Sequence, residues 1–204
     1  ISPRIGLPAL LCMFAAPACT TTHESPTPAK ENTAMTAEAS IANGNATLSA
    51  QEIAKRVLAL IENVRSAQDI SPEIIEKHIG IKVHVNPDDS NDYGVSGKLT
   101  EQWYYGVRSM SVEPGQKPNR LLFQFNDQTH ADADMSPVCI AFEDYNQALI
   151  AAGFTSKRLR NRLDTRDYWD FSRGDISVTI YLRGKTDPKD AQACVSMLII
   201  NAYA

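Results

Sequence analysis

Two alternating segments meet at a glycine in the stretch Asp170-Phe171-Ser172-Arg173-Gly174-Asp175-Ile176-Ser177-Val178. Residues 166–172 and 176–182 read as strands on either side of Arg173-Gly174-Asp175, and apolar residues alternate with polar ones most clearly over 176–180. A period of two is typical of a strand with one buried face, and a short connection that contains glycine is typical of a β-hairpin. The stretch therefore predicts two antiparallel strands, and with them an antiparallel sheet.

Period-two patterns recur on both sides of this hairpin. They predict strands at 81–85, at 93–100, at 101–113, around Leu121, Phe123 and Phe125, and at 193–201. Residues 86–92 are rich in Asn, Asp, Ser and Pro, which favours a loop between the first two strands.

Three helices are predicted from capping residues and apolar spacing. Ser49 and Glu52 match a capping box before an apolar stripe at helical spacing. Pro72 and Gly80 mark the beginning and the end of a second, short helix. A third helix is expected from about 142 to 152, where apolar residues share one face.

The predicted order of elements is α-α-β-β-β-β-α-β-β-β, and no internal repeat is visible in the sequence. Strands that follow one another without intervening helices are typical of the α+β class. We therefore expect a single α+β domain, in which three helices pack mainly on one face of an antiparallel β-sheet.

Composition narrows the class of protein. The chain has 204 residues, of which 43% are hydrophobic and 22% are charged, as in ordinary globular proteins. Its formal net charge of −4 argues against a nucleic-acid-binding protein, which needs a basic surface. No apolar run in the sequence approaches the length of a membrane-spanning helix, about 20 residues.

Residues 1–18 match a signal peptide, in which Arg4 precedes a short apolar stretch that ends in small residues before Cys19. This resembles a bacterial lipobox, whose cysteine is diacylated and becomes the mature N-terminus. The resemblance implies lipidation of Cys19 and, because Thr20 rather than Asp follows, anchoring to the outer membrane on its periplasmic side. The alternative is a plain secretory signal with an incidental cysteine.

The remaining chain divides into two parts. Residues 19–47 are rich in Thr, Pro, Ala and Glu and poor in large apolar residues, which predicts a flexible tether after the lipidated cysteine. Residues 48–204 form the predicted globular domain, which is long enough for a substantial core.

Two cysteines, Cys139 and Cys194, lie in the predicted domain. A signal peptide implies an oxidising compartment, where such a pair usually forms a disulfide. The alternative is a catalytic thiol, which would need one unpaired cysteine and a nearby histidine.

The stretch 126–134 concentrates oxygen ligands and one imidazole. Its candidate partner-binding residues are Asp127, His130, Asp132 and Asp134. The stretch does not fit a calcium-binding loop, because it lacks the glycine and the glutamate that such a loop places at its sixth and twelfth positions. A solvated acidic loop and a structural calcium site both remain open, and we predict no metal and no cofactor.

Catalytic motifs are missing from the sequence. It has no Gly-x-Ser-x-Gly, no phosphate-binding glycine loop and no dinucleotide-binding glycine pattern, so we assign no catalytic residue and expect no enzyme. Charge is instead segregated: residues 121–156 contain no Lys or Arg, whereas 157–173 contain six. Opposed patches of this kind steer association with a protein partner, although they also balance neighbouring surfaces.

In overall plan the chain resembles the small periplasmic immunity lipoproteins of Gram-negative bacteria. That resemblance rests on the lipobox and on the architecture. It implies a non-catalytic lipoprotein that binds and neutralises a secreted toxic effector acting in the periplasm. Trp103, Tyr104, Tyr105, Tyr168 and Trp169 are candidate anchors of an interface. The alternative is an envelope-maintenance lipoprotein that binds peptidoglycan or an assembly machine.

Overall fold

A computed structural model of the chain describes residues 48–113, 115–130, 133–160, 167–183 and 193–203. The predicted signal peptide, the lipidated Cys19 and the tether lie outside the described residues. What was inferred for them, including the boundaries of the three segments, therefore stays a prediction.

Three α-helices form where the capping residues predicted them. They are α1 (Ala50–Asn63), α2 (Pro72–Ile79) and α3 (Phe142–Ala151), with short 3-10 turns at Ala67–Ile70 and Ser136–Val138. The Ser49 hydroxyl accepts a hydrogen bond from the Glu52 N–H at 3.1 Å, which confirms Ser49 as the N-cap of α1. Gly80 ends α2 with a φ of 72°, a left-handed conformation that favours glycine.

Eight strands form one antiparallel sheet. They are β1 (His84–Asn86), β2 (Asp89–Lys98), β3 (Trp103–Met110), β4 (Arg120–Asp127), β5 (Thr155–Arg160), β6 (Asp167–Arg173), β7 (Ile176–Arg183) and β8 (Cys194–Ala202). Their order across the sheet is β1-β2-β3-β4-β8-β7-β6-β5. The predicted hairpin is confirmed, because β6 and β7 pair around Gly174, which turns with a φ of 58°.

The expectation of an α+β domain was wrong. Strand accounts for 43% of the described residues and helix for 29%, so the structure is mostly β. Two segments add strand that the sequence did not predict. Thr155–Arg160 forms a strand, and β2 begins at Asp89, inside the predicted loop. The helices also contact one another, since the Arg56 side chain of α1 donates to the Ile79 carbonyl of α2 at 2.6 Å.

The order of the elements is repeated, although the sequence shows no repeat. Helices α1 and α2 precede the meander β1–β4, and α3 precedes the meander β5–β8. The two meanders join through β4 and β8, which pair from Arg120–Asn201 to Gln124–Met197. In both halves the helix before the first strand is followed by a glycine with positive φ, Gly80 and Gly153. We refer to the β4–β8 pairing as the seam.

One set of alternating strand residues is buried together with the helices. This core includes Trp103, Tyr105 and Val107 of β3, Leu121, Phe123 and Phe125 of β4, and Val178 and Ile180 of β7. Most of the other set is half-buried or exposed, although Gly94 and Asn201 are buried, and Leu122, Met197 and Ile199 of this set lie outside the core. We call the surface formed by this second set the open face of the sheet.

Candidate functional site

The predicted acidic loop begins where β4 ends. One carboxylate oxygen of Asp127 accepts hydrogen bonds from the Thr129 hydroxyl, from the Thr129 N–H at 2.6 Å and from the His130 N–H at 2.8 Å. A carboxylate that accepts from residues two and three positions ahead forms a local turn. Asp127 therefore shapes the loop and points His130 into solvent, where it is exposed.

The same hydrogen bonds stabilise the charge of the loop. The Thr129 hydroxyl, followed by the N–H groups of His130 and Thr129, holds the pKa of Asp127 below its ordinary value of 3.8. The pKa of Asp134 is lowered by the backbone N–H of Ser136 and then by its hydroxyl. Both carboxylates are therefore ionised at neutral pH, and the loop presents negative charge.

The structure brings three of the four predicted partner-binding residues into one loop. They are Asp127, His130 and Asp134, whereas Asp132 lies outside the described residues. The second carboxylate oxygen of Asp127 is buried and has no hydrogen-bond partner among the described residues. The described ranges contain no group of three or more His, Cys, Asp and Glu side chains arranged to hold a metal ion.

The far end of the acidic loop is held by the side chains of β7 and β3. The Arg183 guanidinium donates to the Ala133 carbonyl at 2.7 Å. It also lies over the ring of Trp103, 5.9 Å from the centroid. Met135 and Val138 then enter the core. The sequence did not point to Arg183, because its partner is a backbone carbonyl 50 residues away.

The predicted disulfide between Cys139 and Cys194 is present. The two Cα atoms lie 5.1 Å apart, and the bridge joins the segment before α3 to the first residue of β8. Backbone hydrogen bonds flank it, from Phe142 N–H to Ala193 at 3.0 Å and from Val195 N–H to Ile140 at 2.9 Å. The segment that follows the acidic loop is therefore fastened to the sheet by covalent and hydrogen-bond contacts.

The predicted basic patch is divided by the structure. Lys157 and Arg158 lie exposed on β5, the last strand at one edge of the sheet. Arg173 has a structural role, because its guanidinium donates to the carbonyls of Val64 at 2.8 Å and Ala152 at 3.0 Å. These carbonyls lie at the C-terminal ends of α1 and α3, where acceptors are left unpaired by the helix.

A shallow cavity of about 310 Å³ lies beside Arg173, lined also by Glu62, Arg65, Ala151 and Ala152. Its two cations face helix carbonyls: Arg65 donates to Glu62 at 2.6 Å and to Val64 at 2.9 Å. Because helix C-termini carry negative partial charge, these guanidinium groups already have acceptors. The cavity therefore has the chemistry of a helix cap and carries no catalytic group pair.

The five candidate aromatic anchors separate into two sets. Trp103 and Tyr105 belong to the buried core, and Trp169 packs against Phe142 with ring centroids 5.0 Å apart. Tyr104 and Tyr168 alternate with these core residues along β3 and β6, so they lie on the open face. Tyr104, Tyr168 and the half-buried Trp169 therefore keep surface for a partner, whereas Trp103 and Tyr105 do not.

None of the helices in the described ranges is both long enough and apolar enough to serve as a membrane span. No protein-family model, curated protein or solved structure matches the chain.

Proposed function

We propose that this chain is a non-catalytic, periplasm-facing lipoprotein that binds and neutralises a toxic effector protein. The observation that carries the proposal is the acidic loop, whose described ends, 127–130 and 133–134, are held by specific contacts. Turns at Asp127 and Asp134, the Arg183 contact and the disulfide all restrain it. A surface that is ordered before binding loses less conformational entropy in the complex, which favours affinity.

The charge of the loop suggests the chemistry of the partner. An anionic loop suits a cationic cleft, and a cationic cleft suits an enzyme whose peptidoglycan or lipid substrate carries anionic groups. Exposed rim charges mainly raise the association rate, whereas a desolvated carboxylate paired with Arg or Lys costs about 2–5 kcal/mol when it is removed. We therefore place the effector contact at Asp127, His130, Asp132 and Asp134.

A triple Asp→Asn variant at positions 127, 132 and 134 tests this contact. Asparagine keeps a side-chain oxygen that can accept the turn hydrogen bonds of Asp127 and Asp134, removes the charge and replaces the second carboxylate oxygen with an amide group. The control changes the exposed Asp88, Asp89 and Asp175 to Asn, with the same change in net charge away from the loop.

The readout is protection of cells that express periplasm-targeted hydrolases of peptidoglycan and lipid, together with the Kd for any hydrolase that is neutralised. We expect the loop variant to weaken binding by about 30-fold or more, the equivalent of 2 kcal/mol. The control variant should bind and protect as the parent chain does. Equal protection by both variants would show that the loop is not part of the interface. Co-purification with peptidoglycan or assembly proteins, and no protection, would favour an envelope-maintenance role.

The anchor is tested separately. If Cys19 is acylated, Cys19→Ser should move the protein from the membrane fraction to the soluble periplasm. Cys12→Ser serves as the control, because Cys12 lies inside the predicted signal peptide and should leave fractionation unchanged. Membrane retention of the Cys19→Ser variant would contradict lipidation at this residue.

A further inference from the structure

The open face of the sheet has an apolar centre outside the core. Leu122 of β4 pairs with Ile199 of β8 at the seam, and Gln124 pairs with Met197 beside them. These side chains are half-buried. Among the described residues, Leu122, Met197 and Ile199 belong neither to the core, which contains the helix residues, nor to the hydrophobic residues packed against it. An apolar centre of this kind on a sheet face is typical of a surface that binds another protein.

The two halves of the open face differ in side-chain size. One row of paired residues runs across the sheet through Ser96, Gly106, Gln124, Met197, Tyr181 and Tyr168. On the β3 side of the seam the row is small, and a Cβ added to Gly106 would meet nothing within 4 Å. On the β7 side it is large, because Tyr168 and Tyr181 stack with centroids 5.6 Å apart.

The neighbouring row carries charge in both halves. It runs through Arg108, Leu122, Ile199, Thr179, Asp170 and Lys157. Arg108 lies on β3, and its side chain is 58% exposed despite an ion pair with Asp92. Asp170 lies on β6, on the other side of the seam, where it accepts a hydrogen bond from the Thr179 hydroxyl and pairs across strands with Lys157. Each half therefore holds a cation and an anion.

We infer that the open face binds a second copy of this chain. A two-fold axis parallel to the strands and centred on the seam places β3 of one copy over β7 of the other, since both strands are second from the seam. Tyr181 of each copy then enters the space above Gly106 of the other. Arg108 of each copy lies over Thr179, within one strand of Asp170. In the row through Gly106, small residues of one half therefore meet large residues of the other, and Arg108 lies close to Asp170 of the other copy.

The size of the face supports this occupant. Eight strands at about 4.8 Å spacing span about 34 Å. The two rows above and a third through Met110, Arg120, Asn201 and Ser177 add about 20 Å along the strands, which makes about 700 Å² per copy. Stable protein–protein interfaces bury about 800 Å² on each partner. Two sheets that pack face to face at about 10 Å would form a β-sandwich across the two copies.

Sedimentation velocity and multi-angle light scattering test the dimer. The full chain should carry Cys12→Ser and Cys19→Ser, so that neither lipid nor a free thiol can link two copies. We expect a mass of twice 22.4 kDa at micromolar concentration. Gly106→Tyr should raise the dimer Kd by about 100-fold or more, because it fills the space that Tyr181 of the other copy needs. It should fold normally, since that space is empty within the monomer.

Two further variants keep the test specific. Tyr181→Ala alone should weaken the dimer, and Gly106→Tyr combined with Tyr181→Ala should restore it, because the large side chain then comes from the other half. Ile150→Arg is the matched control, because Ile150 is 47% exposed on α3 and should leave the dimer unchanged. A chain that stays monomeric at about 100 μM, a Gly106→Tyr variant that dimerises like the parent, or a double variant that fails to recover would each overturn the inference.

Discussion

Arg173 shows how one side chain can hold several elements together. Its guanidinium donates to the carbonyls of Val64 and Ala152, and to Ile61 at 3.3 Å. It also lies over the ring of Phe154, 4.3 Å from the centroid. Burial lowers the pKa of Arg173, an effect that the nearby Arg65 reinforces. The arginine therefore caps α1 and α3 from the end of β6.

We predict that Arg173→Ala destabilises the protein by about 2 kcal/mol, because hydrogen bonds from charged donors and a cation–π contact are lost together. The corresponding decrease in Tm is about 4–8 °C in thermal unfolding followed by circular dichroism. Lys55→Ala, an exposed change on α1, should alter the free energy of unfolding by less than about 0.5 kcal/mol. An equal effect of both changes would contradict the capping role.

A second residue-scale prediction concerns the titration of Asp127. Its folded-state pKa lies below 3.8, so the turn contributes stability that is present above about pH 4 and is lost as the pH falls through the folded-state pKa. Carbon-13 NMR of the carboxyl group should give a midpoint below 3.8, and Thr129→Val should raise it by removing the hydroxyl donor. A midpoint at or above 3.8 in the parent protein would count against the turn.

At the scale of elements, α3 and β8 are joined although they are far apart in the chain. Ala141 and Cys194 form an isolated antiparallel bridge next to the disulfide. The bridge closes a loop with a sequence separation of 55 residues that contains α3 and β5 to β7. It therefore restrains most of the second half of the sheet.

Removing the disulfide should be costly because the unfolded chain regains the entropy of this loop. We expect Cys139→Ser combined with Cys194→Ser to lower the free energy of unfolding by about 3–4 kcal/mol, and the Tm by about 6–16 °C. Mass spectrometry of the non-reduced parent protein should find one linked peptide pair. Two alkylatable thiols at these positions in the native protein would show that the bridge does not form.

At the scale of the molecule, the seam joins two halves of similar topology into one sheet. The core is continuous across it, since Phe123 of β4 and Leu198 of β8 are both buried in the same cluster. Neither half can leave the other without exposing this apolar surface to water. The two halves are therefore expected to unfold together.

The two tryptophans allow this to be measured, because Trp103 lies in the first half and Trp169 in the second. Trp103→Phe and Trp169→Phe each leave one fluorophore. In each variant we expect the denaturation midpoint from fluorescence to coincide with that from far-UV circular dichroism, as two-state unfolding requires. Separate midpoints in either variant would show that the halves unfold independently.

Much of the local structure could be predicted from the sequence. The caps at Ser49 and Gly80, the third helix and the β6–β7 hairpin depend on residues close together in the chain, so their patterns are readable without the fold. The disulfide followed from a count of cysteines and the expected compartment. The acidic loop was predicted from composition, and the turn at Asp127 uses only neighbouring residues.

Features that depend on distant partners could not be predicted. Thr155–Arg160 is polar and basic, and it becomes a strand because β6 supplies its hydrogen-bond partners. Asp89 joins β2 because it pairs with Asn86 across a turn that is tighter than the loop expected there. In both segments, pairing within the sheet compensates for a weak β propensity of the residues. Together the two segments make the structure mostly β rather than α+β.

By itself, the sequence determined the helices, the hairpin, the disulfide and the charge of the loop, because each arises from neighbouring residues or from a simple count. Only the tertiary structure decided the order of the strands, the seam between the two halves and the open face. It also decided that Arg173 caps two helices while Arg183 holds the acidic loop. The physical reason is that these contacts join residues tens of positions apart, and no local pattern records which distant backbone a side chain will meet.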